Sequence, residues 1–329
     1  MGRWHTKRGT GPGQNDFKRL NFFHTTSTGV KILVMDLKRK DFLKLAGTTA
    51  AGIALPSFAN RLFASDLFDD EKKLKAFGLQ LYGIRDSLGK DPKGVLKQVA
   101  SFGYKQVEPF DHSSLGMFFG MGNKGFKMFV EDLGMSIPSV HTNVYKDFEQ
   151  KVEEAAAIGI KYLIYNWEGP GKTLDDYKHY ADDFNKKGEF CRQHGICFTF
   201  HNHDFTFKEM DGIIPQDWLM QHTEKELVDF QIDFYWVIAA GQDPAEWVNK
   251  YPTRFKLAHF KDRTKGTTER EGKAICELGT GSIDFPSILS KIKKSSIAYY
   301  IVDQDTCNDR TDPMQCIKED AGYMKKLKW

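Results

Sequence analysis

From about residue 76 onward, short apolar runs rich in β-branched and aromatic residues recur eight times, separated by stretches of helical periodicity. The runs are Phe77 to Tyr82, Tyr104 to Phe110, Ile137 to Thr142, Tyr162 to Asn166, Ile196 to His201, Val228 to Asp233, Phe255 to Phe260 and Ala298 to Asp303. Helix starts fall between them at Asp91-Pro92, Lys172-Thr173, Asp243-Pro244 and Asp284, and Gly103, Gly134, Gly159 and Gly195 stand where a left-handed cap would end a helix. Eight strands alternating with helices over about 250 residues is the arithmetic of an α/β fold of the (β/α)8 TIM-barrel type. A doubly wound sheet is the alternative; it would show a Gly-rich phosphate loop after an early strand, and none follows Tyr82.

In such a barrel the reactive groups sit at the carboxyl ends of the strands. Those ends read Gln80 and Tyr82, Glu108, His141, Asn166 with Trp167 and Glu168, His201 and His203, Asp233, His259 and Lys261, and Asp303 and Asp305. Residues two apart share a strand face. Thr199, His201 and His203 therefore oppose Phe198 and Phe200, Gln231 and Asp233 oppose Phe230 and Ile232, and Asp303 shares a face with Ile301. The polar sets are expected to face the barrel axis. So many ionisable groups at one mouth would be costly to desolvate as bare charges, and a bound divalent cation is the natural organiser. His201, Asp233, His259 and Asp303 offer mixed nitrogen and oxygen ligation suited to Mn2+, Co2+, Zn2+ or Mg2+. A lone histidine at a strand end usually serves as hydrogen-bonded structure; three histidines and two aspartates at equivalent positions favour a metal centre.

Charge is partitioned along the chain. Residues 1–64 hold eleven Lys and Arg against three acids, so the overall net charge of +3 leaves 36 basic and 41 acidic residues, a net of −5, on residues 65–329. No basic stripe marks a nucleic-acid surface on that body. From Met35 the sequence runs MDLKRKDFLK, then the small, apolar stretch Leu45 to Leu55, then PSFAN and RLFAS. This is the pattern of an export signal over 35–64, with a positive n-region, an h-region too short to span a bilayer, and small residues for cleavage near Ala59 or Ala64. A short buried helix is the alternative reading. Residues 1–34 lack apolar periodicity and precede this signal, so we expect translation to start at Met35, with 1–34 a leader arising from a misplaced start and 70–329 the single catalytic domain. The mature protein is expected in the periplasm or otherwise exported, with no stable membrane span; a hydrophobic share of 40% and a mean hydropathy of −0.49 exclude a multi-span protein. Five scattered cysteines include no Cys-x-x-Cys pair, which argues against a disulfide scaffold or structural zinc; whether Cys307 and Cys316 pair is left open.

The stretches GLQLYGIRD (78–86), GYKQVEPFD (103–111), FHNHDFTF (200–207), FQIDFYWVIAAGQDP (230–244), YPTRFKLAHFKDR (251–263), ELGTGSIDF (277–285) and YYIVDQD (299–305) fall in order across 77–329. Together they resemble the sugar phosphate isomerase/epimerase group of xylose-isomerase-like TIM barrels, in the subset carrying export signals. Arg39-Lys40-Asp41-Phe42-Leu43-Lys44 resembles a twin-arginine signal with Lys40 in place of the second arginine. The family resemblance implies a metal held from strands five to eight, usually by Glu, Asp, His and Glu, which by position become His201, Asp233, His259 and Asp303. His201 stands where many relatives have Glu, with His203 an alternative ligand, and Asp303 is one methylene shorter than the usual Glu. Thr206 also replaces a frequent Glu. These departures weigh against a plain isomerase that shuttles the proton on two glutamates.

The resulting expectation is an exported, divalent-metal-dependent sugar isomerase, epimerase or carbon–oxygen lyase that removes a proton α to the carbonyl of a sugar, ketosugar or 3-keto-glycoside through a metal-stabilised enediolate. Glu108, His141 and His203 are the candidate bases. Lys261 would polarise an oxygen, unless it only forms a surface ion pair with Asp262 or a neighbour. Gln80, Trp167, Tyr235 and Trp236 are candidate substrate contacts, with barrel-to-helix packing the alternative for the aromatic three. The partner is a small carbohydrate rather than nucleic acid, and a homo-oligomer is left open. A non-catalytic carbohydrate-binding barrel is the competing class. Phosphodiester cleavage of the apurinic-site endonuclease type is disfavoured by the acidic body.

Overall fold

The computed structural model describes residues 73–166, 169–267, 274–307 and 312–329. The leader 1–34, the export-signal segment 35–64 and Trp167 lie outside the described residues.

Eight parallel strands appear where the apolar runs place them: β1 (Gly78–Gln80), β2 (Gln106–Glu108), β3 (Ser139–His141), β4 (Tyr162–Tyr165), β5 (Cys197–His201), β6 (Val228–Asp233), β7 (Phe255–Phe260) and, after a short hairpin of β8 (Asp262–Arg263) and β9 (Ile275–Cys276), β10 (Tyr299–Val302). The order is β2-β1-β10-β7-β6-β5-β4-β3. Two isolated parallel bridges, Gln106 with Ser136 and Phe110 with His141, close the seam between β2 and β3. There the Val107 N–H donates to the Ser136 carbonyl at 2.9 Å and the His141 N–H to the Pro109 carbonyl at 2.9 Å. The result is a nearly closed barrel.

Several strands are shorter than the apolar runs, and β1 shows why. The Gln80 side-chain oxygen accepts the Tyr82 N–H at 2.7 Å, which turns Leu81–Ile84 into a 3-10 helix and takes Tyr82 off the strand. Helices fill the connections: α1 (Arg85–Lys90), α2 (Pro92–Ser101), α3 (Gly122–Asp132), α4 (Phe148–Ala156), α5 (Leu174–Gln193), α6 (Pro215–His222), α7 (Phe234–Ala239), α8 (Pro244–Lys250), α9 (Phe285–Lys291) and α10 (Pro313–Met324). The expected starts are used. Asp91 accepts the Gly94 N–H, Thr173 and Asp176 form a capping box, Asp243 accepts the Ala245 N–H and Asp284 that of Ser287. Gly195, at φ 74°, follows the end of α5 in the left-handed conformation that a Cβ would strain. None of the described helices is long and apolar enough to cross a membrane.

Strand alternation sorts the side chains. Phe198 and Phe200 point outward and pack on Phe184 of α5 at 5.1 and 5.2 Å between ring centroids. Inward, Tyr162, Ile164, Leu257 and Ile301 form a separate buried cluster that fills the barrel. Beyond it along the strands the axis turns polar: Glu108, Gln231, Asp233 and His259 are all fully buried. Past β10 the chain is tied back to α10 by a Cys307–Cys316 disulfide, while Cys191, Cys197 and Cys276 are free.

Candidate active site and metal centre

A cleft of about 820 Å3 opens at the carboxyl ends of the strands. Among the residues singled out from sequence, Gln80, His141, His201, His203, Trp236, Lys261 and Asp303 line it. Glu108, Asp233 and His259 are buried and do not line it. Tyr235 is also fully buried, edge-on to Trp236 at 4.8 Å, and burial pushes its hydroxyl up to about 12.

Glu108 is the junction of the buried polar layer. Its Oε1 accepts from His259 Nε2 at 2.7 Å, His141 Nε2 at 2.9 Å and Gln80 Nε2 at 3.3 Å. Its Oε2 accepts from Ser139 Oγ at 2.5 Å and Gln231 Nε2 at 2.9 Å. Burial alone would push this carboxyl up, but the charges and hydrogen bonds of His141 and His259 outweigh it and hold the group well below the usual carboxylate range. An anion so completely satisfied is a poor base, and its geometry is that of a positioning group.

Gln231 follows from the same carboxylate. Since Glu108 can only accept, the Gln231 amide must turn its nitrogen toward it, and its oxygen then faces two imidazoles: His141 Nε2 at 2.8 Å and His201 Nδ1 at 2.9 Å. Both rings must donate there. This assignment from the network puts a proton on His141 Nε2 and on His201 Nδ1, so in the neutral form of each ring the lone pair lies on His141 Nδ1 and His201 Nε2. His201 Nε2 lies 4.0 Å from Asp233 Oδ2, so a lone pair faces a carboxylate oxygen. His259 lies between two carboxylates, with Nδ1 3.1 Å from Asp303 Oδ2. Burial opposes a charge on this ring, yet Glu108 and Asp303 prevail and raise its pKa to about 10.

These positions fit a divalent cation. The ligand atoms of Asp233, His259 and Asp303 lie within 4.8 Å of one another, as do those of His141, His201 and His259. Asp233 Oδ2 and Asp303 Oδ1 are buried without a hydrogen bond, which is costly for carboxylate oxygens, although Asp233 Oδ2 has an ammonium 3.4 Å away. The donor set mixes carboxylate oxygen with imidazole nitrogen, as borderline metals prefer. The cation that does sit there is Lys261. Its buried ammonium is 2.9 Å from Asp303 Oδ2 and 3.4 Å from Asp233 Oδ2 and also pairs with Asp305. Asp262 is no partner of Lys261; its carboxylate takes the backbone N–H groups of Arg263, Gly279, Gly281 and Ile283.

His203 belongs to neither trio. Its half-buried ring stacks on Phe205 at 5.3 Å and leans on Trp236 at 5.3 Å, and burial followed by the Lys261 charge pushes its pKa down to about 3. Two groups of consequence stand among the axis-facing or strand-end residues in the sequence but were given no role there. Gln231 had its inward alternation with Asp233 as a signal. Asp305 had its place beyond β10; burial and Asp303 raise its carboxyl to about 6 despite Lys261.

Comparison with known proteins agrees with this architecture. A family model described as xylose isomerase-like TIM barrel matches residues 96–327. An inosose dehydratase from Lacticaseibacillus casei is 27% identical over 196 residues, 51% of this chain and 65% of the relative. One from Clostridium perfringens is 26% identical over 166 residues, 46% of this chain and 55% of the relative. The chain thus spans less than two thirds of the length of these curated relatives. A solved sugar phosphate isomerase/epimerase from Parabacteroides distasonis superposes with a TM-score of 0.67 at 25% identity, over 77% of this chain and 98% of that one.

Proposed function

The chain belongs to the xylose isomerase-like TIM barrel family, and on that premise we propose that it is a divalent-metal-dependent lyase, isomerase or epimerase that removes a proton α to the carbonyl of a neutral ketosugar or 3-keto-glycoside. The observation that carries the reading is the buried Asp233, His259 and Asp303 set with unbonded carboxylate oxygens, next to an open cleft. The inosose dehydratases and the sugar phosphate isomerase/epimerase among the relatives support carbohydrate chemistry of this kind.

Asp233, His259 and Asp303 would hold the metal, with His201 at its side through Nε2. When bound, the ion polarises a carbonyl and stabilises negative charge on its oxygen. With the ion present, Glu108 would serve His259 as the carboxylate behind a ligating histidine, fixing its Nε2–H so that Nδ1 could turn to the metal. His141 is the base of the reading. Glu108 and Gln231 keep its proton on Nε2, so Nδ1 receives the α-proton, and the carboxylate behind the ring stabilises the charge that forms. Lys261 Nζ donates to a substrate oxygen that gains charge. His203, flanked by Phe205 and Trp236, orients a hydroxyl from the cleft wall. The lining sets Arg85 and Lys261 against Asp111, Asp303 and Asp305, a balance that suits a neutral sugar better than a phosphorylated one.

Elemental analysis of purified protein tests the metal centre. A near-stoichiometric divalent ion in the parent, lost from both His259→Ala and Asp233→Ala, is expected; no metal in the parent, or unchanged content in both variants, refutes it. A screen of ketosugars and 3-keto-glycosides with Mn2+ or Co2+, read by product NMR, distinguishes elimination from reprotonation. The signal-like segment 35–64 further supports export. A mature amino terminus just after Ala59 or Ala64 in a periplasmic fraction is the expected result, and an intact segment in the native protein refutes it.

A further inference from the structure

The cleft has two unlike halves. Lys261, Asp303 and Asp305 line one side, just beyond β7 and β10 and next to the buried Asp233 and His259, whereas the ends of β1 to β4 present the aromatic rings Tyr82, Phe110, Tyr145 and Tyr165. Tyr82 and Tyr145 are 43% and 52% exposed, two of the three large hydrophobic residues so exposed among the described residues. Both line the cleft. Neither ring hangs loose. Tyr82 meets Phe110 edge-on at 5.3 Å and has the Arg85 guanidinium 4.4 Å from its centroid. The Tyr145 hydroxyl donates to Asp183 at 2.9 Å, and its ring meets Tyr165 edge-on at 5.4 Å. Preordered rings lose little freedom when a ligand packs on them. Asp111 also lines this half and is held by Thr142 Oγ1 at 2.6 Å and Lys151 Nζ at 2.7 Å, which gives it a polar edge unsuited to a lipid chain. At about 820 Å3 the cleft lies near the upper end of the roughly 300–1,000 Å3 typical of small-ligand sites, more room than one sugar ring needs.

We infer that the aromatic half is a second subsite, built for the ring carried on the anomeric oxygen of a glycoside, with the reacting sugar on the ionic half. The substrate is then a two-ring molecule whose second ring, glycosyl or aryl, packs an apolar face on Tyr82 and Tyr145. This rests on the carbohydrate reading above and adds to it the size and shape of the substrate.

Isothermal titration of the metal-loaded full chain with glucose and methyl β-glucoside, against cellobiose and phenyl β-glucoside, tests it. The two-ring ligands are expected to bind at least about tenfold tighter, equivalent to about 1.4 kcal/mol. That ratio collapses toward unity in Tyr82→Ala and Tyr145→Ala and survives in Tyr145→Phe, which keeps the ring. Whichever of cellobiose and phenyl β-glucoside shows the larger gain identifies the second ring as sugar or aryl. Should an Ala variant not fold, the parent's ratio decides alone. A parent ratio near one, or a high ratio unchanged in both Ala variants, overturns the subsite; if one-ring ketosugars are then still turned over, the proposed function stands without it. No binding by any of the four, together with no turnover, overturns both.

Discussion

Replacing Glu108 with Gln keeps the size of the side chain and removes the charge on which the buried layer converges. Whichever carboxylate oxygen becomes the amide nitrogen, it meets donors: Oε1 receives His259, His141 and Gln80, and Oε2 receives Ser139 and Gln231. At least one buried hydrogen bond is lost, since of these donors only the Ser139 hydroxyl can freely turn to accept, and His259 loses one of its two counter-ions. Breaking a buried ion pair by removing one partner costs about 3–5 kcal/mol. For a barrel of this size that lowers Tm by roughly 6–20 °C. The pH dependence has a definite sign. His259 has its pKa raised from 6.5 to about 10 in the folded state, so the stability it contributes is complete below 6.5 and lost as pH rises through about 10. Metal-free parent should therefore lose stability between those values, and Glu108→Gln should follow a flatter profile there. Calorimetric titration supplies the second readout, since loss of a carboxylate behind a ligating histidine lowers metal affinity about 10- to 100-fold. A Tm within about 2 °C of the parent together with unchanged metal affinity would show that Glu108 organises nothing.

Lys261→Met removes the ammonium seated among Asp233, Asp303 and Asp305. The metal-free variant should be destabilised, and the divalent ion should bind at least about tenfold tighter once the competing charge is gone; equal or weaker binding by calorimetry contradicts the competition. Gln231→Leu should free the tautomers of His141 and His201 and reduce kcat more than it raises KM, whereas a pure KM effect would deny Gln231 a positioning role. Asp320, buried on α10 and raised by burial and Glu277 to about 8, keeps in the folded state a proton that the unfolded chain releases near pH 4. Stability should fall as pH rises from about 4 to 8, and Asp320→Asn, whose amide oxygen can still accept the Leu278 N–H, should melt several degrees higher at pH 8 yet match the parent near pH 4. An unchanged Tm at pH 8 counts against a buried, protonated Asp320.

The strands were legible because each run is apolar outward and polar only at its carboxyl end, as Phe198 and Phe200 against Thr199 and His201 show. The capped helix starts were legible because Asp91, Thr173, Asp243 and Asp284 act on amides two or three residues away. What could not be read were contacts closed across the barrel. Glu108 at a strand end looks like any candidate base; only the approach of His259, 151 residues on, and Gln231, 123 residues on, makes it an anchored anion. Lys261 beside Asp262 in sequence suggests a local pair, but Asp262 is claimed by backbone amides and Lys261 turns inward to the aspartates of β6 and β10. Tyr82 seemed to end a strand because the Gln80 side chain that diverts it is invisible to an apolar count.

The most direct test of the central claim is solvent-deuterium exchange into a ketosugar, followed by NMR in D2O with the protein metal-loaded and after chelation. The account predicts deuterium at the carbon α to the carbonyl, or loss of that proton with elimination, only when the divalent ion is present, and neither outcome with His259→Ala. Turnover that survives chelation and the His259→Ala change, or turnover in which the α-proton never leaves carbon, would contradict it.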